Sequence, residues 1–237
     1  MKQMPGRLSL YDDTAFKEDV VNTLGSFKDE VQNLVPHYNI APTIAIPILT
    51  NTKRYTLAHF GLIPSWAKDR SQMQINARSE SVFEKVTFKE AYRARRCIIL
   101  VNGYYEWLKG SGSDKSVPYY ISSKSSKYFA FAGIYEEWYD NALGKTILSC
   151  ALLTTEPNTF IVPIHDRMPV ILAKDTWKTW LEPKSNYATL NKLYTPYLSD
   201  EMQMYTVSEE VNSVKNNGIS CIKEASRKVP RQASLFD

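Results

Sequence analysis

The sequence predicts a single α+β domain in which strands outnumber helices. At 237 residues the chain can bury a sizeable core and fits one large domain. Its 43% hydrophobic and 23% charged residues are typical of globular proteins rather than of disordered chains. The middle of the chain alternates short segments rich in β-branched and aromatic residues with turn residues, a pattern that indicates strands.

The predicted strands follow one another through the middle of the chain. They cover residues 44–49, 54–60, 97–101, 119–121, 128–134 and 146–154. Residues 51–53 form the predicted turn between the first two strands, and Ser, Gly, Lys, Asp and Asn supply the turns between the later ones. The segment 97–101 is continuously apolar, which indicates a buried strand.

Helical patterns are fewer and flank the strands. We predict helices over residues 13–24, 81–93, 175–181 and 187–193. In the second of these, Ser81 is followed three residues later by Glu84, which is the spacing of a capping box. We predict one domain over residues 1–222, a flexible loop over 109–115 and a flexible basic tail over 223–237.

The overall composition does not identify a binding partner, but it indicates the cellular compartment. The net charge of +4 allows an anionic partner without arguing for one, because a whole-chain charge says little about local patches. No apolar run approaches a membrane span, and the N-terminus lacks the apolar stretch of a signal peptide. Cys97, Cys150 and Cys221 are far apart, which favours reduced thiols over disulfides or a zinc site. We therefore expect a cytoplasmic protein with no membrane partner, no metal and no cofactor.

The segment Pro163-Ile164-His165-Asp166-Arg167-Met168-Pro169 is the most informative part of the sequence. Its two prolines hold a short loop stiff, because each fixes φ and removes a backbone donor. His165 in such a loop is suited to proton transfer near neutral pH, and Arg167 could hold a phosphate in its planar fork. Taken alone, the segment fits acid–base chemistry beside an anion and a rigid surface turn with an incidental ion pair equally well.

Asn76 and Arg78 are two residues apart. If residues 75–79 are extended, the two side chains share one face of a strand. An amide and a guanidinium on one face could hold a sugar or phosphate oxygen between them. The ordinary alternative is a pair of surface polar groups.

Two further positions combine polarity with aromatic neighbours. Glu106 lies between Tyr105 and Trp107, and partial desolvation there would raise its pKa, as a proton-transferring group near neutral pH requires. The alternative is a strand glutamate that faces solvent. Trp66 follows Pro64 in a predicted rigid loop, where an exposed aromatic ring could stack on unpaired bases. The alternative is a core or interface tryptophan.

Several sequence blocks, taken together, resemble the SRAP (SOS response-associated peptidase) family of abasic-site processing proteins, which cap damaged single-stranded DNA. The resemblance runs from about residue 4 to about residue 222. Several independent blocks occur in the family's order, which makes the resemblance specific. The blocks are Met4-Pro5-Gly6-Arg7, Tyr38-Asn39-Ile40-Ala41-Pro42-Thr43, Gly61-Leu62-Ile63-Pro64-Ser65-Trp66-Ala67-Lys68, Ile75-Asn76-Ala77-Arg78-Ser79-Glu80, Arg95-Arg96-Cys97 and Asn102-Gly103-Tyr104-Tyr105-Glu106-Trp107.

The resemblance implies a fold and a set of roles. It implies one domain whose central sheets curl into a barrel-like core flanked by helices, with a positively charged DNA groove. It implies sensing of abasic sites in single-stranded DNA during the DNA-damage (SOS) response, with a covalent DNA–protein crosslink in the family. The expected catalytic residues are Pro5, Asn76, Glu106 and His165, of which Asn76 positions the sugar and Glu106 and His165 transfer protons. The expected DNA contacts are Arg7, Trp66, Arg78 and Arg167.

Three other reactive side chains receive no such role. His37 and His59 match no catalytic position of the family, and we expect them to be structural. Cys97 is the obvious substitute nucleophile, but it begins a predicted buried strand, where a free cysteine behaves as a small hydrophobic residue.

Pro5 is the main departure from the family pattern. The family's N-terminus reads Met-Cys-Gly-Arg, and its cysteine becomes the terminal residue whose amine forms a Schiff base and whose sulfur closes a thiazolidine. Here Pro5 stands at that position behind Met1-Lys2-Gln3-Met4, so no thiazolidine can form. Pro5 is either natural or a replacement for a native cysteine.

The chemistry left to Pro5 depends on where the chain begins. If translation starts at Met4 and that methionine is removed, Pro5 is a secondary amine that can form a labile iminium and support strand cleavage by β-elimination, which is lyase chemistry. If Met1 is kept, Pro5 is an internal amide unless the chain removes its own leader. The alternatives to covalent chemistry are a module that binds single-stranded DNA without reacting and a peptidase limited to its own N-terminus.

The C-terminal residues suggest a second partner. Gln232, Leu235 and Phe236 follow a basic stretch and resemble the pentapeptide that docks into the bacterial replication sliding clamp. A chance match is the alternative, because such short motifs arise often. Clamp binding would place the protein at the nucleoid.

Overall fold

A computed structural model describes residues 5–110 and 115–225 of the chain. The part of the predicted loop over 111–114, the leader up to Met4 and the predicted clamp-binding residues Gln232, Leu235 and Phe236 lie outside these residues. The strands are β1 (Leu8–Leu10), β2 (Lys28–Asp29), β3 (His37–Ile40), β4 (Ala45–Thr50), β5 (Arg54–Phe60), β6 (Asn76–Arg78), β7 (Arg96–Val101), β8 (Gly103–Leu108), β9 (Val117–Ser123), β10 (Phe129–Asp140), β11 (Lys145–Thr155), β12 (Met168–Pro169) and β13 (Met202–Thr206). The helices are α1 (Thr14–Leu24), α2 (Lys89–Ala94), α3 (Trp177–Leu181) and α4 (Tyr187–Asn191), with 3₁₀ turns at Arg70–Gln72, Lys174–Thr176, Lys192–Tyr194, Ser199–Glu201, Glu209–Asn212 and Ile219–Ile222.

Five strands close into a barrel. Antiparallel pairs join β5 to β4, β4 to β7, β7 to β10 and β10 to β11. The ring closes where β11 pairs with β5 in parallel, with Ser149 opposite His59 and Cys150 opposite Phe60. The predicted α+β domain with a barrel-like core is therefore confirmed.

The barrel is narrow, and one glycine makes room inside it. A Cβ atom on Gly133 would lie 2.7 Å from Ile99 Cδ1 and 2.9 Å from Cys97 Sγ. Those distances are shorter than van der Waals contact, so any larger side chain at this position would have to displace the Ile99 and Cys97 side chains.

A second sheet packs beside the barrel in the strand order β13-β9-β8-β1-β3. Tyr104 of β8 joins the two sheets, because its ring centroid lies 6.2 Å from that of Phe129 and 5.8 Å from that of Phe131, both on β10. Strands β1, β3, β8 and β13 of this sheet were not predicted. β1 and β3 have only three and four residues, which is too short for an alternating pattern to be recognised.

The flanking helices agree with the sequence except at one place. Helix α1 spans Thr14–Leu24, close to the predicted 13–24, and the two late helices also form within their predicted ranges. The predicted helix over 81–93 is wrong over residues 81–88 and correct only from Lys89 onwards. Residues 79–84 form turns, with the Lys85 N–H donating to the Ser81 carbonyl at 3.1 Å, and α2 begins only at Lys89.

The capping box at Ser81 and Glu84 accordingly caps no helix. The turn there continues from β6, whose pairing with β11 holds the preceding residues extended. Tertiary strand pairing therefore overrides the local helix-start signal.

Arg96 fixes two helix ends to the barrel. Its guanidinium is buried and donates to the carbonyls of Tyr92, Arg93, Trp180 and Glu182, at 2.7, 3.1, 2.7 and 2.5 Å. These carbonyls belong to the last residues of α2 and α3 or directly follow them, where helical carbonyls lack intrahelical donors. One side chain therefore anchors both helices against β7.

Candidate functional site

An open cleft of about 1230 Å³ lies where the barrel meets the second sheet. Most of its lining comes from β6, the end of β8 with the residues after it, and the loop over 157–167, and Ser116 and Thr154 complete it. The lining residues are Asn76, Arg78, Glu106, Trp107, Leu108, Lys109, Gly110, Ser116, Thr154, Pro157, Val162, Pro163, Ile164, His165, Asp166 and Arg167. The four predicted residues Asn76, Arg78, Glu106 and His165, which lie far apart in sequence, therefore meet in one place, together with Arg167.

Strand β6 presents Asn76 and Arg78 to the cleft, while Ala77 between them is fully buried on the other face. The prediction that this stretch is extended with both polar side chains on one face is confirmed. Parallel pairing with β11 positions the strand, with Leu152 opposite Asn76 and Thr154 opposite Arg78.

Asn76 connects the cleft to the start of the described chain. Its Nδ2 donates to the Pro5 carbonyl oxygen at 3.4 Å, so the buried residue 5 lies directly beside a residue that lines the cleft. Its Oδ1 is buried and has no hydrogen-bond donor within residues 5–110 and 115–225. Buried polar atoms are nearly always paired, so this acceptor is suited to a donor from a ligand.

Glu106 projects from β8 into the cleft and is only 7% exposed. Tyr104 lies two residues earlier on the same strand face. Burial, reinforced by the charge of Glu106, raises the pKa of the Tyr104 phenol well above its ordinary value. The carboxylate therefore sits in a poorly solvated part of the cleft, as the sequence predicted.

The loop that carries His165 is held rigidly by its own backbone. The Val162 and His165 amides donate to the Asn158 and Ile161 carbonyls, each at 3.0 Å. The Asn158 side chain in turn donates to the Tyr197 carbonyl at 2.6 Å. The two flanking prolines thus reinforce an internally hydrogen-bonded turn, which fixes the His165 ring at the cleft wall.

The Arg167 guanidinium is hydrogen-bonded to other residues of this chain. Its Nη1 and Nη2 donate to the two carboxylate oxygens of Glu80 at 2.7 and 2.9 Å, and Nη2 also donates to the Thr154 carbonyl at 2.5 Å. Burial works against ionisation of Glu80, but the Arg167 hydrogen bond holds the pKa of this carboxyl below its ordinary value. Glu80 was not predicted as a site residue. Its position two residues after Arg78 is the sequence feature that could have placed it near the cleft.

Arg7 lies outside the lining of the cleft. Its Nη1 donates to Asn39 Oδ1 at 2.6 Å and to the Val211 carbonyl at 2.8 Å, and its guanidinium lies over the Trp107 ring at 5.6 Å. Burial lowers the pKa of Arg7 from its ordinary value. These contacts fix the segment around Val211 to β1 and β3, a role that the sequence did not suggest.

Trp66 also lies outside the lining and is 53% exposed, so it is not a core residue. The neighbouring Ala67 carbonyl accepts a hydrogen bond from the Trp138 indole at 2.7 Å, and Trp138 pairs with Ile147. Thr154, which lines the cleft, is on the same strand as Ile147, roughly 20 Å along β11 if the strand is fully extended. Trp66 is therefore outside the cleft lining, and a DNA strand in the cleft would have to extend beyond that lining to reach it.

The remaining candidate nucleophiles and bases lie elsewhere. Cys97, Cys150 and Cys221 are buried, and burial raises the pKa of each thiol. His37 and His59 do not line the cleft, and burial lowers the pKa of His37. Within residues 5–110 and 115–225, no cluster of three or more His, Cys, Asp or Glu side chains is placed to hold a metal ion.

Fold and cleft together define an α+β barrel protein in which a buried amide, a buried carboxylate and a histidine face one open cavity. The sequence profile of the SOS response associated peptidase (SRAP) family matches residues 4–214, and the chain belongs to this family. None of the helices in the described residues is long and apolar enough to cross a membrane.

The relatives agree with that assignment. The chain is 43% identical to the abasic site processing protein YoaM of Bacillus subtilis, over 90% of this chain and 95% of that one. It is 42% identical to the abasic site processing protein YoqW of the same organism, over 79% and 86%. A crystal structure of a protein from Bacteroides thetaiotaomicron superposes with a TM-score of 0.80 at 26% identity, covering 92% of this chain and 99% of that one.

Proposed function

We propose that the cleft binds an abasic site in single-stranded DNA. Family membership and relatives named as abasic site processing proteins support the proposal. The observation that carries it is the buried Oδ1 of Asn76, which meets no donor in the described part of the chain. A sugar hydroxyl is a donor of suitable size. We therefore place the baseless sugar against Asn76.

The charges around the cleft fit a strand that enters beside that sugar. Arg78 and Lys109 line the cleft and are exposed, so both can approach a backbone phosphate. Arg167 is already paired with Glu80, so Arg78 and Lys109 supply most of the positive potential that a phosphate in the cleft would meet. Arg7 acts on the strand indirectly, because it positions the Trp107 ring that lines the cleft.

Glu106 and His165 handle the protons of the sugar. An abasic sugar interconverts between a closed ring and an open aldehyde, and opening moves one proton from the C1′ hydroxyl and one to the ring oxygen. Glu106 accepts the first, and His165 supplies the second. Both side chains line the same cavity, one on each wall.

Pro5 decides whether a covalent step follows. If residues 1–4 are removed, the Pro5 amine attacks the aldehyde carbon, and loss of water leaves an iminium. A base then removes a C2′ proton, the 3′ phosphate leaves, and water releases the cleaved product from Pro5. If the leader stays, the Pro5 nitrogen is an amide, and the cleft binds abasic DNA without reacting. A self-processing peptidase step would be the hydrolysis of the Met4–Pro5 bond.

The tail adds a second proposed partner. Gln232, Leu235 and Phe236 would dock into the replication sliding clamp, which would bring the cleft to exposed single strands at the nucleoid. Deletion of residues 232–237 should abolish co-purification with the purified clamp and leave single-strand affinity unchanged. Clamp binding that survives the deletion would refute the assignment.

The first experiment is intact-protein mass spectrometry after incubation with single-stranded DNA that carries one abasic site, with and without borohydride. An adduct trapped only by borohydride on a chain that begins at Pro5 supports the lyase mechanism. Binding without any adduct, on a chain that keeps Met1, supports the non-reacting binder. Equal affinity for abasic and intact strands contradicts both.

A gain-of-function variant tests the cleft independently of the leader. Deletion of residues 1–3 combined with Pro5→Cys gives a chain that begins Met-Cys-Gly-Arg, and we expect a stable adduct without borohydride. Adding Asn76→Ala should remove that adduct, whereas Asn191→Ala, at the end of α4 and outside the cleft lining, should not. Failure of the Pro5→Cys variant to react while it still binds abasic DNA would show that the cleft does not present the aldehyde to residue 5.

A further inference from the structure

The His165 ring has two competing contacts at one nitrogen. Its Nδ1 accepts a hydrogen bond from the Arg167 backbone N–H at 3.1 Å, and the same Nδ1 lies 2.8 Å from Asp166 Oδ1. The amide contact requires Nδ1 to carry a lone pair, whereas the carboxylate contact requires Nδ1 to carry a proton. The two contacts therefore stabilise different protonation states of one ring.

We propose that Asp166 is a positioning residue that stabilises the doubly protonated His165 ring, while the Arg167 amide stabilises the neutral ring protonated at Nε2. Nδ1 is directed at its own loop in both states, so chemistry in the cleft uses Nε2. The His165 side chain is 19% exposed, whereas that of Asp166 is 74% exposed, so the carboxylate is hydrated while the ring is largely enclosed.

The arrangement suits the proton transfer assigned to His165, and in this respect the inference rests on the proposed function. The Nε2–H of the charged ring passes its proton to the sugar ring oxygen as the C1′–O bond breaks, and the C1′ hydroxyl proton passes to Glu106. The ring is first left neutral with its Nδ1 proton held by Asp166. Exchange with solvent then removes the Nδ1 proton and returns one to Nε2, which restores the neutral form that accepts from the Arg167 amide. Without that carboxylate, the Arg167 amide favours a neutral ring, which is a poor acid.

Other charges act on the ring as well. Arg78 on β6 and Lys109 after β8 line the same cleft and oppose a second positive charge, whereas Glu106 on β8 favours it. Arg167, on the same loop, is neutralised by Glu80. Asp166 differs from these groups because its carboxylate directly contacts Nδ1.

The test uses the full chain without DNA, because the ring's protonation can be measured directly. Nitrogen-15 chemical shifts of the three histidines report the protonation of each ring nitrogen, and a His165→Gln sample assigns the His165 signals. In Asp166→Asn, we expect the pH midpoint of His165 protonation to fall by roughly 0.3–0.7 pH unit, since an ion pair with one exposed partner is modest. Above that midpoint the ring should be protonated at Nε2.

The control removes an equal charge elsewhere. Asp200→Asn, in an exposed 3₁₀ turn, should leave the His165 midpoint unchanged, and neither variant should move the signals of His37 or His59. An unchanged midpoint in Asp166→Asn, or a neutral ring protonated at Nδ1, would overturn the inference.

A second readout separates this inference from the proposed function. In the Pro5→Cys variant lacking residues 1–3, Asp166→Asn should lower the rate of adduct formation about two- to fivefold near neutral pH and shift the acid limb of the rate profile to lower pH. A shifted His165 midpoint in a protein that shows no preference for abasic DNA would retain the Asp166 assignment and reject the proposed function.

Discussion

The barrel wall around Arg96 and the cleft around Asn76 both contain buried polar groups. Those of Arg96 are hydrogen-bonded within the chain, whereas Asn76 has a buried acceptor without a donor in the described residues. Arg96 is 1% exposed, and all of the hydrogen bonds it donates end on backbone carbonyls within 3.1 Å. Asn76 uses its amide nitrogen on Pro5, and its buried Oδ1 meets no donor in the described residues. A polar group that is satisfied internally supports the architecture, whereas one that is buried with unused capacity beside a cavity is suited to a ligand.

The largest expected effect on stability is at Arg96. Arg96→Met keeps a long side chain but leaves several carbonyls at the ends of α2 and α3 without donors, so we expect a loss of about 3–5 kcal/mol in the free energy of unfolding. Urea denaturation followed by tryptophan fluorescence measures this loss. Arg93→Met, at an exposed position of α2, should change it by less than about 0.5 kcal/mol. A loss below about 1 kcal/mol in Arg96→Met would contradict the anchoring role.

Glu106 should show the reverse pattern, with a large effect on chemistry and a small one on folding. In the Pro5→Cys variant lacking residues 1–3, Glu106→Gln keeps the side chain's shape but removes its basicity, so we expect adduct formation to slow about 100-fold or more. The free energy of unfolding should change by less than about 1 kcal/mol. Glu90→Gln on the exposed face of α2 is the matched control. An unchanged rate in Glu106→Gln would exclude it as the base.

Trp66 is an exposed residue outside the cleft lining, so its substitution tests DNA contacts beyond the cleft. If it stacks on a base, Trp66→Ala should weaken binding of a strand about 20 nucleotides long by roughly tenfold, because one stacking contact contributes about 1–3 kcal/mol. A strand of about five nucleotides centred on the abasic site should lose less affinity, because Trp66 is not among the residues that line the cleft. Trp66→Phe should retain most of the affinity. Equal losses for short and long strands would contradict this geometry.

The smallest effect concerns the Glu80–Arg167 pair, the half-exposed counterpart of the Arg96 site. The pKa of Glu80 is lowered in the folded protein, so its contribution to stability is present above the ordinary value of 4.5 and is lost as the pH falls through the lower folded value. At pH 7, Glu80→Gln should cost about 0.5–1 kcal/mol, since solvent screens the pair. Thermal denaturation at pH 7 and at pH 3 measures this, and an equal difference at both pH values would contradict an ionic origin.

Much of the cleft was predictable because its residues occur in recognisable local patterns. The alternation at Asn76 and Arg78, the aromatic neighbours of Glu106 and the prolines around His165 each pointed to candidate residues but left a non-functional alternative open, and the family resemblance decided between the two. Such patterns do not identify the acceptors of an arginine. Arg7 and Arg167 were both expected to contact phosphates, but in the structure both donate hydrogen bonds to other side chains of the protein. Sequence cannot show which acceptor a guanidinium meets, since that acceptor lies on a distant element.

By itself, the sequence determined the family, the α+β class, most of the barrel strands and the absence of a cysteine at position 5. The family follows from the resemblance of several sequence blocks in a fixed order, whereas the class and the strands follow from local periodicity and turn chemistry, which act over a few neighbouring residues. Only the tertiary structure decided that the barrel closes through β5 and β11, that residues 81–88 form turns rather than a helix, and that Asn76, Glu106 and His165 share one cavity. Each of these outcomes depends on contacts between strands far apart in the chain, where the free energy of pairing and burial outweighs local propensity.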